Sequence, residues 1–158
     1  MWQALRAELH PQGFELVTVG LDALGAEGCR AFIEAAKPEH PSLIDAHHVM
    51  AELFGVTNIP QSIWIDEQGM IVRPAETAPA PPTRPRAARF DANAEMPQRF
   101  KEIMSEAVKI TQDPQSYHDA LRDWVQKGSA SAFALTPEQV IARSRPGNAD
   151  ISLGHAHF

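Results

Sequence analysis

The sequence predicts an α/β domain followed by a segment that is helical throughout, and three observations support this division. Residues 14–21 (FELVTVGL) are mostly β-branched and apolar, which is typical of a strand that a parallel sheet buries on both faces. Five prolines between residues 74 and 89 interrupt any helix or ladder strand. Beyond them, apolar side chains recur with the 3.6-residue period of helices.

The size and charge of the chain exclude several classes of protein. Its 158 residues can form one domain with a packed core and an extension, but not two large domains. The net charge of −6 has the wrong sign for a phosphate-binding surface, so we expect neither nucleic acid nor an anionic membrane as partner. No apolar run approaches the ~20 residues that span a bilayer. No secretory signal is recognisable, which favours the cytoplasm but leaves the compartment open.

The first helix is predicted from Trp2, Leu5 and Leu9, which lie at positions i, i+3 and i+7. No residue precedes Met1 to cap this helix, and we therefore expect the natural chain to begin upstream. We expect the natural chain to continue at the other end as well, because the helical pattern of residues 149–158 stops before it is complete.

The second helix, residues 26–37, carries Cys29, Phe32 and Ile33 at helical spacing. It is predicted to cross over from the first strand to a short strand at residues 42–44. The chain has one cysteine, so it can form neither an intramolecular disulfide nor a CxxC couple. We expect Cys29 to be a packed, structural thiol.

A third helix and a hairpin complete the first part of the chain. Asp45 is predicted to cap this helix, and Gly55 to end it. Its inward face is predicted to consist of Val49, Met50, Leu53 and Phe54. Residues 62–66 and 70–73 predict an antiparallel hairpin, because a three-residue connection with a glycine joins them.

The helical segment is predicted to contain helices at residues 97–110, at residues 113–128 and from Thr136 onward. The last has the clearest start, since Thr136 and Gln139 form a capping-box pattern and a proline occupies the first turn. Apolar stripes in these helices predict a core, with Tyr117, Leu121, Trp124 and Val125 on the second helix and Val140 and Ile141 inward on the third. Helical repeats that bind protein partners are the alternative interpretation of this segment.

Residues 1–74 resemble the thioredoxin-like fold, in particular the TlpA-like and redoxin-type thiol–disulfide oxidoreductases. The most specific stretch is residues 53–69 (LFGVTNIPQSIWIDEQG), which is similar to the family's passage from a helix end through a cis-proline into a hairpin. The resemblance implies a mixed sheet flanked by helices and a cis peptide bond at Pro60. It also implies that Asn58, Ile59 and Pro60 bind substrate, with the backbone before the proline pairing with an extended polypeptide.

The sequence departs from this family in one respect that bears on chemistry. The family's CxxC lies at the start of the helix whose later turns residues 1–10 resemble, and its central strand precedes that helix. This sequence has no counterpart to either. One thiol cannot resolve a mixed disulfide, so the predicted fold is incomplete, has no catalytic residue and is redox-inactive as given. We expect the missing strand to leave a sheet edge exposed, which makes the chain marginally stable or lets it self-associate through that edge.

The predicted organisation is a truncated thioredoxin-like domain at residues 1–74, a Pro-rich linker at 75–92 and a helical extension at 93–158. Two functions remain open. In the first, the chain is a fragment of an oxidoreductase that acts on protein thiols and disulfides through an upstream CxxC. In the second, it is a redox-dead adaptor that binds a protein partner.

No cofactor and no metal site is expected. Seven histidines are present, among them His47, His48, His155 and His157. Neighbouring histidines point to different sides of a helix, and no acidic or cysteine partner lies at a familiar ligand spacing. We therefore interpret them as solvated or capping side chains.

Overall fold

The structure is a computed structural model that describes residues 1–79, 97–99, 102 and 113–144. Its helices and strands, in chain order, are α1 (Trp2–Leu9), β1 (Thr18–Gly20), α2 (Ala26–Ala36), β2 (Ser42–Ile44), α3 (Val49–Leu53), β3 (Gln61–Ile65), β4 (Ile71–Thr77), α4 (Pro114–Lys127) and α5 (Pro137–Ser144). The mixed α/β class predicted from the sequence is therefore confirmed. Most of the predicted linker, most of the predicted helix at 97–110 and the pattern at 149–158 lie outside the described residues.

The strands form two separate pairs in the described ranges. β1 and β2 are parallel, with Thr18 opposite Ser42. β3 and β4 are antiparallel, with Gln61 opposite Thr77. Each sheet has two strands, so β1 and β3 each have a ladder partner on one edge within this part of the chain.

The first strand is shorter and less buried than the sequence predicts. Its ladder covers three residues rather than residues 14–21, and Val17 just before it is 48 % exposed. The prediction of a strand buried on both faces is wrong here. The hydrophobic run would be covered in a sheet with neighbours on both sides, but within the described part of the chain β1 pairs with β2 alone.

Helix α2 packs on this strand through its cysteine. Cys29 is buried, and its Sγ lies so close to Gly20 that a Cβ there would come within 2.6 Å of it. The predicted packed thiol is thus confirmed. Phe32, one turn further along, is 78 % exposed, which corrects the inward placement that its spacing predicts.

Helix α3 also buries fewer of its apolar side chains than the sequence predicts. Asp45 caps it as predicted, because its carboxylate accepts hydrogen bonds from the backbone N–H groups of Val49, Met50 and Ala51. Val49 and Leu53 are nevertheless exposed, and the buried side chain of this helix is that of Ala51. The apolar stripe is present, but in the described ranges no element covers most of it.

Strand β4 continues past Pro74 to Thr77, so the sequence-based exclusion of a strand by proline is wrong at this position. Ser62 lies opposite Glu76 and Trp64 lies opposite Arg73, so Pro74 and Ala75 together face a single residue of β3. This bulge accommodates the proline, which cannot donate to a ladder.

The core lies between α1, the β3–β4 hairpin and α4. It contains Leu5, Leu9, Trp64, Val72, Ala120 and Leu121, all of them buried. Tyr117, Trp124 and Val125 of α4 pack against it, as their stripe predicts.

Both helices that follow residue 112 begin with the caps that the sequence predicts. Asp113 accepts hydrogen bonds from the N–H groups of Gln115 (3.1 Å) and Ser116 (3.2 Å). Thr136 and Gln139 form the reciprocal bonds of a capping box. Val140 is buried, as predicted. Ile141 is exposed, so the prediction that it points inward is wrong.

Candidate polypeptide-binding site

Asn58, Ile59 and Pro60 form an exposed loop that leads from α3 into β3. Ile59 is 70 % exposed, although its side chain is large and apolar. The Ile59–Pro60 peptide bond is cis, as the family resemblance implies. The structure thus brings the three predicted substrate-binding residues together at the surface, while their role stays a prediction.

The loop is anchored at both of its ends. Just before its start, the N–H of Val56 donates to the carbonyl of Ala51 (2.8 Å) in the middle of α3. At its end, the carbonyl of Pro60 accepts a hydrogen bond from the N–H of Ala78 (3.0 Å), and β3 then pairs with β4. Backbone bonds therefore fix where the loop enters and leaves.

The two edges of the hairpin differ in what covers them. On the outer edge of β4, the N–H of Leu135 donates to the carbonyl of Val72 (3.0 Å), and α5 packs against the same strand. On the outer edge of β3, no strand pairs with it among the residues that the structure describes. Unpaired N–H and C=O groups on such an edge can pair with an extended polypeptide.

The first turn of α1 lies at the same end of the hairpin as the loop. The indole Nε1 of Trp2 donates to the carbonyl of Pro79 (3.1 Å), and Pro79 directly follows the residue that bonds to Pro60. The Trp2 ring also contacts α4, edge-on to Tyr117 at 6.0 Å between centroids and to His118 at 5.5 Å.

Tyr117 joins α4 to β3 through its hydroxyl. Trp64 Nε1 donates to this oxygen (2.7 Å), and the hydroxyl is hydrogen-bonded to Ser62 Oγ as well. Burial raises the pKa of Tyr117, against the opposing effect of these two hydrogen bonds. The sequence predicts Tyr117 only as a core residue. The residue type alone could have indicated this contact, since a tyrosine on an apolar stripe needs a hydrogen-bond partner for its hydroxyl.

A groove of about 350 Å³ lies between the hairpin and α4. It is lined by Trp64, Arg73, Asp113, Ser116, Tyr117, Ala120 and Phe133. Its charged groups are largely satisfied within the protein. Arg73 donates twice to the carboxylate of Glu76, both at 2.6 Å, and this pair raises the pKa of Arg73. The same guanidinium lies 5.0 Å from the centre of the Trp64 ring.

The remaining reactive side chains do not form a second site. Cys29 lines another groove, of about 300 Å³, beside β1 and α2. In residues 1–79 and 113–144, together with the few described between them, no three His, Cys, Asp or Glu side chains could hold a metal ion. Across the same residues, no helix is long and apolar enough to cross a membrane.

His118 makes the stability of the fold dependent on pH. It is buried, and its Nε2 has no hydrogen-bond partner in the described part of the chain. Burial lowers its pKa, with smaller contributions from Arg122 and the chain's amino terminus. The folded state therefore binds this proton less readily than the unfolded state, whose histidine titrates near ~6.5.

We accordingly expect the free energy of unfolding to be highest above about pH 6.5 and to fall as the pH drops below that value. Urea unfolding at pH 7.5 and pH 5.5 measures the difference. In His118→Phe the difference should shrink without vanishing, because burial lowers the pKa of His40 too. An unchanged difference in the variant would show that His118 does not cause it.

Comparisons of this chain with models of protein families, with curated proteins and with solved structures find no match.

Proposed function

We propose that this chain is the polypeptide-binding part of a thioredoxin-like thiol–disulfide oxidoreductase. The strand pairing carries the proposal. A parallel pair, β1–β2, and an antiparallel hairpin, β3–β4, each have an edge without a ladder partner in the described ranges. A thioredoxin-like sheet without its central strand has this pairing, since the missing strand lies between the two pairs.

The loop at Asn58, Ile59 and Pro60 is the binding surface of this proposal, because the open edge of β3 is where the missing central strand would lie. An extended polypeptide would pair with the backbone next to Pro60. The exposed side chain of Ile59 offers it an apolar contact. The partner class is therefore an unfolded or locally unfolded polypeptide that carries a thiol or a disulfide.

The redox couple has to come from polypeptide outside these 158 residues, because they contain one cysteine and that cysteine is buried. In thiol–disulfide exchange, a thiolate attacks one sulfur of a disulfide and releases the other as a thiol, and a second thiol then displaces the first. The contact of Trp2 with Pro79 supports a location near the loop for any segment that leads into α1.

The binding step can be tested without the redox couple. Reduced and carboxymethylated insulin B chain, an unfolded polypeptide, is titrated into the ¹⁵N-labelled protein. We expect the amide signals of residues 58, 59 and 61 to shift, and Pro60→Ala to weaken binding. Met70→Ala is the control, because Met70 is exposed in the turn at the opposite end of β3. No shift in the wild-type protein, or equal weakening by both variants, would contradict the proposal.

A redox-inactive adaptor is the second candidate, and the packing of Cys29 against Gly20 favours it. An insulin-disulfide reduction assay with dithiothreitol separates the reactive and inert states of this thiol. If the assay shows no rate above background, the result agrees with both candidates. A rate that disappears in Cys29→Ala would contradict the adaptor.

A further inference from the structure

Strand β3 contacts α4 through Trp64, whose ring stacks on Trp124, and it is hydrogen-bonded to Tyr117 of the same helix, more than fifty residues away in sequence. Ser62 and Trp64 are alternate residues, so they project from the same face of β3. Both are hydrogen-bonded to the hydroxyl of Tyr117. One oxygen atom therefore fixes two points of a five-residue strand.

The position of this hydroxyl is itself well determined. The Tyr117 ring packs edge-on against Trp64, at 5.8 Å between centroids, and against Trp2 on α1. Its neighbours Ala120 and Leu121 on α4 are buried in the core. Because the ring is held from several sides, the hydroxyl cannot follow β3 if the strand shifts.

The attachment is close to the loop. Ser62 lies two residues after Pro60, whose carbonyl is bonded to Ala78. Pro60 thus has one anchor on β4 and a second, through Ser62, on α4. The face of β3 that meets Tyr117 is fixed, while Ile59 and the outer edge of the strand remain exposed.

We infer that Tyr117 is a positioning residue for the polypeptide-binding loop. Its hydroxyl holds β3, and thereby the backbone of residues 58–60, in the arrangement that pairs with an extended polypeptide. Helix α4, which follows the Pro-rich stretch, is on this account a support of the binding site. The binding partner in this inference rests on the proposed function. The mechanical link between α4 and the loop does not depend on that function.

Hydrogen exchange of backbone amides, followed by NMR, tests the mechanical link. In Tyr117→Phe we expect the amide of Ala78, which is bonded to Pro60, and the β3 amides that are bonded to β4 to exchange several times faster than in the wild-type protein. Gln115→Ala is the matched control, because it removes an exposed side-chain hydrogen bond from the same helix without touching β3. The Trp64 indole N–H signal should also move in Tyr117→Phe, since this group loses its acceptor.

Titration with carboxymethylated insulin B chain tests the consequence for binding. Loss of the two hydrogen bonds to the Tyr117 hydroxyl is expected to weaken binding at least about fivefold in Tyr117→Phe. In the Pro60→Ala background, Tyr117→Phe should weaken binding by less than about twofold. If Tyr117 acts through the loop, its substitution adds little once the loop is already altered, so the two effects are not additive. Ser62→Ala, which removes the same contact from the strand side, should reproduce the exchange result if Tyr117→Phe does not fold.

The outcomes separate the two proposals. If the wild-type protein does not bind the B chain but exchange accelerates in Tyr117→Phe, the proposed function fails and the mechanical link stands. Unchanged exchange of the Ala78 amide and of the β3 amides bonded to β4, in both Tyr117→Phe and Ser62→Ala, would overturn the inference. Additive effects of Pro60→Ala and Tyr117→Phe on binding would overturn it as well.

Discussion

Replacing Leu9 by alanine is expected to lower the free energy of unfolding by about 2–5 kcal/mol, one of the largest effects of any single substitution in this chain. Leu9 has 0 % exposure and lies in the core between α1, the hairpin and α4. The truncation removes buried methyl groups and leaves a cavity, because the surrounding helices and strands cannot fully close over it.

Leu53→Ala is the matched control for this prediction. It makes the same chemical change in another short helix, but Leu53 is 78 % exposed. We expect an effect of about 0.5 kcal/mol or less. Urea unfolding followed by circular dichroism measures both. Similar losses in the two variants would mean that the side chain of Leu53 is covered as its helical spacing predicts.

A chain that ends at residue 112 is expected to lose cooperative unfolding. The four apolar side chains of the α4 stripe, Tyr117, Leu121, Trp124 and Val125, belong to or pack against the core that α1 and the hairpin share. Leu121 is buried and contributes about 1.5–3 kcal/mol, and the three partly buried side chains add to this, so their sum is a large share of the total stability of ~5–15 kcal/mol that small domains have.

A chain that ends at Ser144 provides the comparison, because it retains α4 and α5. We expect this chain to melt cooperatively in calorimetry, and the chain ending at residue 112 to show no cooperative transition. If the shorter chain melts cooperatively at a similar temperature, α4 is dispensable for the fold, and the sequence-based division into a separate domain and extension is the better description.

Local signals in the sequence predict the elements of this fold well. The capping-box pattern at Thr136 and the proline after Asp113 predict where α5 and α4 begin, because both depend on neighbouring residues alone. The hairpin and the stripe on α4 are also predicted correctly. The bulge at Pro74 is not, since it depends on how two strands align.

Burial is predicted less well, for a physical reason. Periodicity shows that Val49 and Leu53, or Cys29 and Phe32, share a face of a helix, but not whether another element covers that face. Cys29 is buried because Gly20 leaves room for it, whereas Phe32 extends beyond the strands and is exposed. The contact between Tyr117 and Ser62 is likewise invisible in sequence, because it joins residues on two elements that only the tertiary fold brings together.

The length of β3 sets the size of the strand that would complete the sheet. β3 has five residues, Gln61–Ile65, which at ~3.3 Å per residue span about 17 Å. Under the proposed function, a central strand would therefore need only about the same number of residues to fill the open edge. A strand that short can come from the same polypeptide or from a separate one, so completing the sheet does not require a whole second domain.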